Sequence, residues 1–281
     1  MAHEGPGLSL TLTGPRGPCF KRVPVNPPTV SVVLPAYNEG TRLPAFVAEL
    51  TRESLEQTSP VLELIVSDDG SAPEHRERER ESVEQAQARL AAAGAPHRFR
   101  FEAAERNGGK GSAIRAGWRR AAPEAEWWAF LDADGAVNAR EFLRLATLAA
   151  TSPQLDVVVG SRVRMAGRNV ERSFFRHLQG RVFATLTDTQ FNLGYYDTQC
   201  GAKLFRASLL RPLLGQLQED RWLLDVELLV LLHARGARAL EVPIDWADAG
   251  DSKVRFGVDA ARMFWGLRQM RRRMDPLLSK R

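Results

Sequence analysis

The chain has 281 residues, of which 44% are hydrophobic and 26% are charged, a composition typical of a globular protein. That length suits one large domain, and no apolar run reaches the roughly 20 residues that a membrane-spanning helix requires. Two cysteines are too few for a disulfide framework, which favours a reducing, cytoplasmic compartment.

Composition and charge divide the chain into three parts. Residues 1–28 are rich in Gly and Pro, lack the charged-then-apolar pattern of a signal peptide, and are predicted to be a flexible lead-in. Residues 29–253 are predicted to form a single domain. The net charge is +5, but residues 253–281 alone carry nine Lys or Arg against two Asp. We therefore predict a basic amphipathic helix or tail at 254–281, which suits nucleic acid or an anionic membrane as partner.

Short β-rich runs alternate with helical patterns through the first half of the chain. The predicted strands cover residues 29–35, 61–67, 97–103, 127–131 and 155–160, and the predicted helices cover 43–57, 74–93 and 111–122. Strands that alternate with helices connect through right-handed crossovers, which predicts an α/β fold with a mostly parallel sheet flanked by helices. Ligands of such folds bind at the carboxyl ends of the strands.

Three polar clusters follow three of the predicted strands and therefore fall on that carboxyl edge. They are Tyr37-Asn38-Glu39, Asp68-Asp69-Gly70-Ser71 and Asp132-Ala133-Asp134. Two carboxylates two positions apart at the end of a buried strand suit Mg²⁺ or Mn²⁺, and such an ion usually arrives with phosphates. The pair Asp68-Asp69 either forms an ordinary turn or accepts hydrogen bonds from a nucleobase and ribose hydroxyls.

A glycine-rich segment at residues 107–112 precedes the third predicted helix. Its backbone N–H groups, Lys110 and the helix N-terminus are expected to cradle phosphate. The segment is not a P-loop, because Gly111 rather than Ser or Thr follows the lysine. No Gly-x-Gly-x-x-Gly motif follows the first strand, which disfavours a dinucleotide-binding domain, and the five His have no metal-ligand spacing.

An ordered set of motifs resembles the inverting family-2 glycosyltransferases of the GT-A fold, whose sheet is Rossmann-like. The first half carries Pro35-Ala36-Tyr37-Asn38-Glu39, Asp68-Asp69-Gly70-Ser71, Gly109-Lys110-Gly111 and Asp132-Ala133-Asp134, and the second half adds 160–162, 172–176, 197–205, 221–229 and 252–254. This order is similar to the polyprenyl-phosphate branch, above all to the dolichyl-phosphate β-glucosyltransferases. The resemblance extends over residues 30–253.

The resemblance implies a nucleotide-sugar site at the carboxyl edge. Its residues would be Pro35, Ala36, Tyr37, Glu39, Asp68, Asp69, Lys110, Asp132 and Ala133. Asp132 and Asp134 would bind Mg²⁺ or Mn²⁺, a Lewis acid that takes up charge as the nucleoside diphosphate leaves. Ala136 stands where mannosyl-transferring relatives often carry Gln, which favours UDP-glucose over GDP-mannose as the donor.

The same resemblance implies a polyprenyl phosphate as the acceptor. A phosphate monoester is already anionic near neutral pH, so it needs positive charge more than it needs a general base. The candidates for binding it are Arg162, Arg172, Arg176 and Lys253. Arginine grips phosphate through paired hydrogen bonds, although arginines on an amphipathic helix are also ordinary surface residues.

Asp197 and Asp225 match family carboxylates near the reaction centre. Either could orient the acceptor or act as the base, and the sequence does not choose between them. Asp225 could instead cap or pair within a helix that covers residues 221–234.

Two segments could bring a chain without a spanning helix to a lipid acceptor. The first is an apolar stripe with arginines beside it, and it consists of Phe174, Phe175, Leu178, Val182, Phe183 and Leu186. The second is 256–274, which sets Phe264, Trp265, Leu267 and Met270 among arginines. Basic amphipathic helices with aromatic residues lie in the membrane interface. The alternative is that both segments pack against the catalytic core.

The resulting hypothesis is an inverting, metal-dependent glycosyltransferase that moves glucose from UDP-glucose to a polyprenyl phosphate. It would act peripherally at the cytoplasmic face of a membrane, with the anionic membrane surface as a partner. The alternative is a soluble acceptor, such as a sugar, a small metabolite or a peptide, for which Asp197 or Asp225 would have to be a true base. A non-catalytic module that binds nucleotide sugar or nucleic acid is supported only by the basic tail, so no nucleic acid is expected.

Overall fold

The computed structural model describes residues 29–171, 174–247 and 258–278, and for residues 174–179 and 258–262 it describes the helical backbone alone. The predicted lead-in at 1–28 lies outside these ranges. In chain order the elements are β1 (Thr29–Ala36), α1 (Leu43–Leu55), β2 (Val61–Asp68), α2 (Pro73–Ala92), β3 (Arg98–Ala103), α3 (Lys110–Arg119), β4 (Trp127–Leu131), α4 (Ala139–Thr151), β5 (Val157–Ser161), β6 (Val170–Glu171), α5 (Phe174–Phe191), β7 (Ala202–Arg206), α6 (Ala207–Leu210), a 3₁₀ helix (Arg211–Gln216), α7 (Leu224–Ala234), β8 (Ala239–Pro243), β9 (Trp246–Ala247) and α8 (Val258–Leu278).

Each strand and helix predicted for the first half has a counterpart, with small shifts of its bounds. The strand β5 begins at Val157 rather than at 155, because the Leu155 N–H donates to the Ser152 carbonyl in a turn after α4 (3.0 Å). The helix α3 ends three residues before its predicted end. There the Arg120 N–H folds back onto the Gly117 carbonyl (2.9 Å), which closes the last turn.

Seven strands form the central sheet in the order β3-β2-β1-β4-β7-β5-β8. The strands β1 to β4 run parallel and so do β5 and β8, whereas β7 is antiparallel to both of its neighbours, β4 and β5. The predicted α/β fold with a mostly parallel sheet is therefore confirmed. Because β7 is antiparallel to β4, the residues that precede β7 lie beside the carboxyl end of β4. Two short strands, β6 and β9, pair separately in parallel.

Helices cover both faces of this sheet. The side chains of Leu34, Phe46 and Phe142 are buried in the cluster that packs α1 and α4 on one face. On the opposite face, Trp118 of α3 stacks on Trp128 of β4, with ring centroids 6.0 Å apart. Full burial of a large apolar side chain contributes roughly 1.5–3 kcal/mol. The packed sheet is thus a firm platform for the loops at its carboxyl edge.

The C-terminal helix α8 has one buried face and one exposed face. Leu267 and Met270 are fully buried and Met274 is nearly so, and all three belong to the core that includes α7. On the other face Trp265 is 62% exposed. Packing against the core, one of the two alternatives for this segment, is therefore observed for Leu267 and Met270 but not for Trp265.

The helix α5 is similarly divided where its side chains are described. Phe183 and Leu186 pack against the core, whereas Val182 is 53% exposed. The side chains of the other stripe residues, Phe174, Phe175 and Leu178, lie outside the described residues. No helix in the described part of the chain combines the length and apolar character that crossing a membrane requires.

Candidate active site

The loops that follow β1 and β2 are hydrogen-bonded to one another. The Asp69 N–H donates to the Ala36 carbonyl (2.7 Å), and the Asn38 N–H donates to the Ser71 hydroxyl (2.8 Å). The Asn38 side-chain carbonyl in turn accepts from the Ala72 N–H (2.8 Å). Asn38 has a φ of 53°, a left-handed conformation that asparagine tolerates better than most residues. These contacts join two of the three predicted polar clusters into one wall.

Glu39 and Asp68, both predicted to hold the nucleoside, are buried and paired with arginines. Glu39 accepts from Nε and Nη2 of Arg42 (2.8 and 2.7 Å). Asp68 accepts from Nε of Arg76 (2.8 Å) and from the Ser71 N–H (2.9 Å). These bonds fix both carboxylates at the edge, where Glu39 is nearly fully buried and the side chain of Asp68 is fully buried.

Asp69 holds the glycine-rich loop, and this corrects the expectation of a phosphate cradle. The N–H groups of Gly108 and Gly109 each donate to the Asp69 carboxylate at 2.8 Å. The Ser112 N–H donates to the Asp220 carbonyl (3.1 Å). Burial raises the pKa of Asp69 above its ordinary value, although the two N–H bonds oppose that rise. These three N–H groups therefore have protein acceptors already, and Lys110 stays a phosphate-binding candidate of this loop.

Lys110 lies at the centre of the carboxyl edge. Its ammonium nitrogen is 2.8 Å from Oδ1 of Asp132 and 3.7 Å from Oδ2 of Asp225. The same nitrogen is 5.1 Å from the ring centroid of Phe130 and 5.4 Å from that of Trp222, distances at which aromatic faces attract a cation. Burial alone would lower the Lys110 pKa, but Asp132 and Asp225 outweigh it and raise that pKa above its ordinary value. Lys110 is therefore a permanent positive charge.

Asp225 connects Lys110 to a second, fully buried lysine. The side chain of Lys203 is 0% exposed and that of Asp225 is 2% exposed, and the two form a close ion pair. The Lys203 ammonium also donates to the Cys200 carbonyl (2.6 Å) and lies 5.2 Å from the Phe130 ring centroid. Asp225 stands in the first turn of α7, where the helix dipole favours negative charge. This setting suits an electrostatic role beside Lys110 better than proton transfer.

Asp132 and Asp134 follow β4, as the sequence predicts. The Asp132 N–H donates to the Gly201 carbonyl (2.8 Å), and a Cβ on Gly201 would collide with the Asp132 carboxylate. Asp134 accepts the Ala136 N–H at one oxygen (3.0 Å). Burial raises the pKa of Asp132, Lys110 opposes that rise and repulsion from Asp134 adds to it.

The two carboxylates fit the donor set of a hard divalent cation. Lys110 contacts one oxygen of Asp132 and the Ala136 N–H contacts one oxygen of Asp134, and both side chains are partly exposed at the edge. No group of three or more His, Cys, Asp or Glu side chains is placed to hold a metal in residues 29–171, 174–247 and 258–278. Mg²⁺ is commonly bound by one or two carboxylates together with substrate phosphates and water. The chemistry of this pair therefore matches a metal that the donor diphosphate helps to coordinate.

Asp197 is clasped by Arg162. The Arg162 Nε and Nη2 donate to the two carboxylate oxygens (2.6 and 2.8 Å), and its backbone N–H adds a third bond (3.1 Å). The Asp197 N–H donates to Glu241 (2.7 Å). Burial would raise the pKa of Asp197, but Arg162 outweighs burial and holds that pKa well below its usual range. A carboxylate with so low a pKa is a poor proton acceptor, which disfavours Asp197 as a general base.

The remaining predicted residues are only partly described. Pro35 and Ala36 end β1, Tyr37 is 40% exposed just beyond them, and Ala133 is buried. Of the predicted acceptor-binding residues other than Arg162, Arg172 and Lys253 lie outside the described residues and Arg176 is described by its backbone alone.

Lys203 and Trp222 belong to the site but receive no role from the sequence. Lys203 lies between the buried residues Ala202 and Leu204 in β7, and a lysine in a buried apolar strand signals a buried acidic partner. Trp222 falls within the motif at 221–229, just before α7. Its contact with Lys110 depends on the path of the preceding loop, and no local pattern reveals that path.

Comparison with known sequences identifies relatives over most of the chain. A family model named glycosyl transferase family 2 matches residues 31–214. The chain is 33% identical to a dolichyl-phosphate β-glucosyltransferase of Trichomonas vaginalis over 231 residues, which cover 79% of this chain and 65% of that protein. It is 32% identical to the Drosophila melanogaster dolichyl-phosphate β-glucosyltransferase over 252 residues, 86% of this chain and 72% of that protein. The chain thus spans about two thirds of the length of these relatives.

Solved structures share the architecture at lower identity. Glucosyl-3-phosphoglycerate synthase from Mycobacterium tuberculosis, in complex with Mn²⁺, uridine diphosphate and phosphoglyceric acid, matches with a TM-score of 0.59 and 20% identity. The match covers 86% of this chain and 77% of that one. At this identity the likeness is one of fold, and it confirms the GT-A architecture.

Proposed function

Since the chain belongs to glycosyl transferase family 2 and is a glycosyltransferase, we propose that it transfers glucose from UDP-glucose to a polyprenyl phosphate. The observation that carries this proposal is the contact of Lys110 with Asp132 (2.8 Å) at the end of β4. A permanent positive charge beside two carboxylates suited to a divalent cation is the arrangement that a nucleoside diphosphate needs, because both cations would neutralise its phosphates.

The choice of donor is supported from two directions. Two relatives are dolichyl-phosphate β-glucosyltransferases, and the glucosyl-3-phosphoglycerate synthase of the same fold binds uridine diphosphate with Mn²⁺. Ala136 is buried, its N–H donates to Asp134, and the presence of alanine at this position favours the glucosyl branch of the resemblance. The wall formed by the loops after β1 and β2, which contains Glu39, Asp68 and Asp69, would hold the nucleoside.

Asp132 and Asp134 would hold Mg²⁺ or Mn²⁺. When bound, such an ion supplies Lewis-acid stabilisation of the diphosphate leaving group. Lys110 would bind the diphosphate directly, and Asp225 would keep the Lys110 ammonium at the edge through their 3.7 Å contact. Lys203 would hold the Asp225 carboxylate in place, because the two form a buried ion pair.

The acceptor would react without a general base. An oxygen of the polyprenyl phosphate would attack C1 of the glucose while the bond from C1 to UDP breaks, and the configuration at C1 would invert. The attacking oxygen is already anionic, so no proton has to leave it. Asp197, kept anionic by Arg162, would orient groups around the acceptor rather than remove a proton. Arg172, Arg176 and Lys253 are proposed as the cations that bind the acceptor phosphate, whereas Arg162, also predicted for this role, is engaged by Asp197.

The exposed face of α8 would meet the membrane that carries the acceptor. Trp265, Arg268 and Arg272 follow one another at spacings of three and four residues, and all three are exposed. Residues at such spacings share one face of a helix, and an aromatic side chain among arginines suits the interface of an anionic bilayer. We expect peripheral binding at the cytoplasmic surface of a membrane.

A transfer assay tests the proposal. The purified protein is incubated with labelled UDP-glucose, a polyprenyl phosphate and Mg²⁺ or Mn²⁺, and we expect a labelled glycolipid and one equivalent of UDP. GDP-mannose and dTDP-glucose serve as alternative donors, and phosphorylated soluble acceptors replace the lipid in parallel reactions. Transfer to a soluble acceptor alone would refute the lipid acceptor. The absence of transfer from every donor with either metal would refute the whole proposal.

Asp134→Asn tests the metal-binding role. This change keeps the shape of the side chain but removes its charge, and we expect transfer to fall about 100-fold because the leaving group loses electrostatic stabilisation. The melting temperature should stay within about 2 °C of the wild type, since Asp134 is only half-buried. The matched control is Glu84→Gln on the exposed face of α2, which should leave transfer unchanged. Transfer by Asp134→Asn near the wild-type rate would exclude Asp134 as a metal ligand.

A further inference from the structure

Residues 217–223, here called the site loop, form one wall of the site around Lys110. The Trp222 ring centroid in this loop lies 5.4 Å from the Lys110 ammonium. The Trp222 carbonyl accepts from the side-chain amide of Gln199 (3.4 Å), two residues after Asp197. The position of the site loop therefore determines how the aromatic wall meets Lys110.

The inner side of the site loop rests on the first turns of α3. The Asp220 carbonyl accepts the Ser112 N–H (3.1 Å), and the Asp220 carboxylate pairs with Arg115. Arg115 also donates to the Leu217 carbonyl (2.6 Å). Gly111 permits this approach, because a Cβ at that position would collide with the backbone of the loop. The helix that begins at Lys110 and the site loop are thus packed backbone to backbone.

The outer side of the site loop is held by Glu227 and Arg273. Glu227 of α7 is fully buried, and its carboxylate accepts the N–H groups of Gln218 (3.0 Å) and Glu219 (2.9 Å). Arg273 of α8 donates to the same carboxylate (2.7 Å). The Arg273 guanidinium also contacts the side chains of Gln218 (3.0 Å) and Glu219 (3.2 Å). Arg273 thus connects α8 with the site loop directly through the side chains of Gln218 and Glu219, and indirectly through Glu227, which binds the loop backbone.

We propose that Arg273 is a positioning residue for glycosyl transfer, which acts on Lys110 through Glu227 and the site loop. Without Arg273, the buried Glu227 carboxylate would keep its bonds to the N–H groups of Gln218 and Glu219 but lose its cationic partner, and a buried charge without a partner is destabilising. This loss loosens the site loop from α7 and moves Trp222 relative to Lys110. The proposal rests on the proposed role of Lys110 in binding the donor diphosphate.

Arg273→Met tests this role through donor binding. We expect the KM for UDP-glucose to rise about tenfold while kcat changes less than about threefold, because the loop shapes the donor site without touching the reacting atoms. Arg273→Lys keeps a cation beside Glu227 and should recover most of the loss. The matched control is Arg271→Met on the same helix, since Arg271 pairs with Asp275 of α8 itself (2.5 Å). This control should leave KM unchanged.

Two further measurements separate positioning from mere stability. Glu227→Gln removes the buried charge, so the defect of the double variant with Arg273→Met should be smaller than the sum of the two single defects. Amide hydrogen exchange reports on the loop whatever the donor is. Arg273→Met should speed exchange at residues 217–223, and Arg271→Met should not.

The outcomes distinguish this proposal from the proposed function. If the wild-type protein does not use UDP-glucose, the proposed donor is wrong. Amide hydrogen exchange at residues 217–223 then tests the role of Arg273 independently of the donor. Unchanged exchange in the site loop overturns the proposal. A lower melting temperature of Arg273→Met with an unchanged KM also overturns it, because Arg273 would then stabilise the fold without positioning the site.

Discussion

Asp225→Asn perturbs the buried charge network at the residue that joins its two lysines. The side chain keeps its shape but loses the charge that faces Lys203 and Lys110. Lys203 is 0% exposed, so its ammonium has no access to water when its anionic partner is removed. Lys110 is 12% exposed and retains Asp132 at 2.8 Å. The larger effect should therefore arise at Lys203.

The size of the effect follows from the burial of the pair. Removal of one partner from a buried ion pair costs about 3–5 kcal/mol, because the other charge stays desolvated. For a domain of this size, that loss corresponds to a fall in melting temperature of roughly 6–20 °C. The second contact, between Lys110 and Asp225 at 3.7 Å, amounts to ~4.5 kcal/mol of direct attraction at an effective dielectric constant of about 20, before desolvation is counted. Its loss should weaken the hold on Lys110 and lower transfer.

Urea denaturation and calorimetry of a double-mutant cycle measure this effect. Lys203→Met removes the buried cation and retains most of the side-chain volume. The double variant Lys203→Met/Asp225→Asn removes both charges, so it should be at least 2 kcal/mol more stable than the sum of the single losses predicts. The buried ion pair of Lys203 and Asp225 would be refuted if Asp225→Asn lowered the free energy of unfolding by less than about 1 kcal/mol. It would also be refuted if the losses of the two single variants simply added in the double variant.

Two further predictions concern the edges of the site. Gly111→Ala places a methyl group against the carbonyl of Glu219, so we expect a loss of about 2 kcal/mol in stability and a lower rate of transfer. Full activity with an unchanged melting temperature would contradict the close packing of α3 against the site loop. Arg162→Met leaves the buried Asp197 carboxylate without its cationic partner. It should lower the free energy of unfolding by about 3 kcal/mol at pH 7. Because Arg162 depresses the folded pKa of Asp197, the stabilisation of that carboxylate is present above its unfolded pKa of about 3.9 and disappears as the pH falls through the folded value. Urea denaturation should therefore show that Arg162→Met loses less stability at pH 3 than at pH 7. An equal loss at both pH values would contradict the pairing of Arg162 with Asp197.

The sequence was sufficient to predict the parallel strands of the sheet and the edge at which their polar clusters lie. Alternating strand and helix patterns require crossovers, and crossovers bring the carboxyl ends of parallel strands to one edge. Glu39, Asp68 and Asp132 lie at that edge for this reason, although the roles proposed for them stay predictions. The first half was readable because its information is local: each strand, and the cluster that follows it, is one continuous stretch of chain.

The glycine-rich loop shows where local information fails. Its sequence has the donors that a phosphate cradle needs, but Asp69, about 40 residues earlier, accepts two of them. The donors of Arg162 are similarly engaged by Asp197, which is 35 residues later in the chain. The local sequence shows which groups are able to bind a ligand. It does not show which distant residue of the chain forms hydrogen bonds with those groups in the folded protein.

The chain by itself thus determined an α/β fold with carboxylates and a lysine at one edge of the sheet. The partners of those groups were decided by the tertiary structure, because the antiparallel strand β7 returns to the end of β4 and places Lys203 and Gly201 against Asp225 and Asp132. The helix α8 adds Arg273 from the far end of the sequence. Such contacts depend on the desolvation of charges inside a packed core, and a charge is buried only after distant segments have come together.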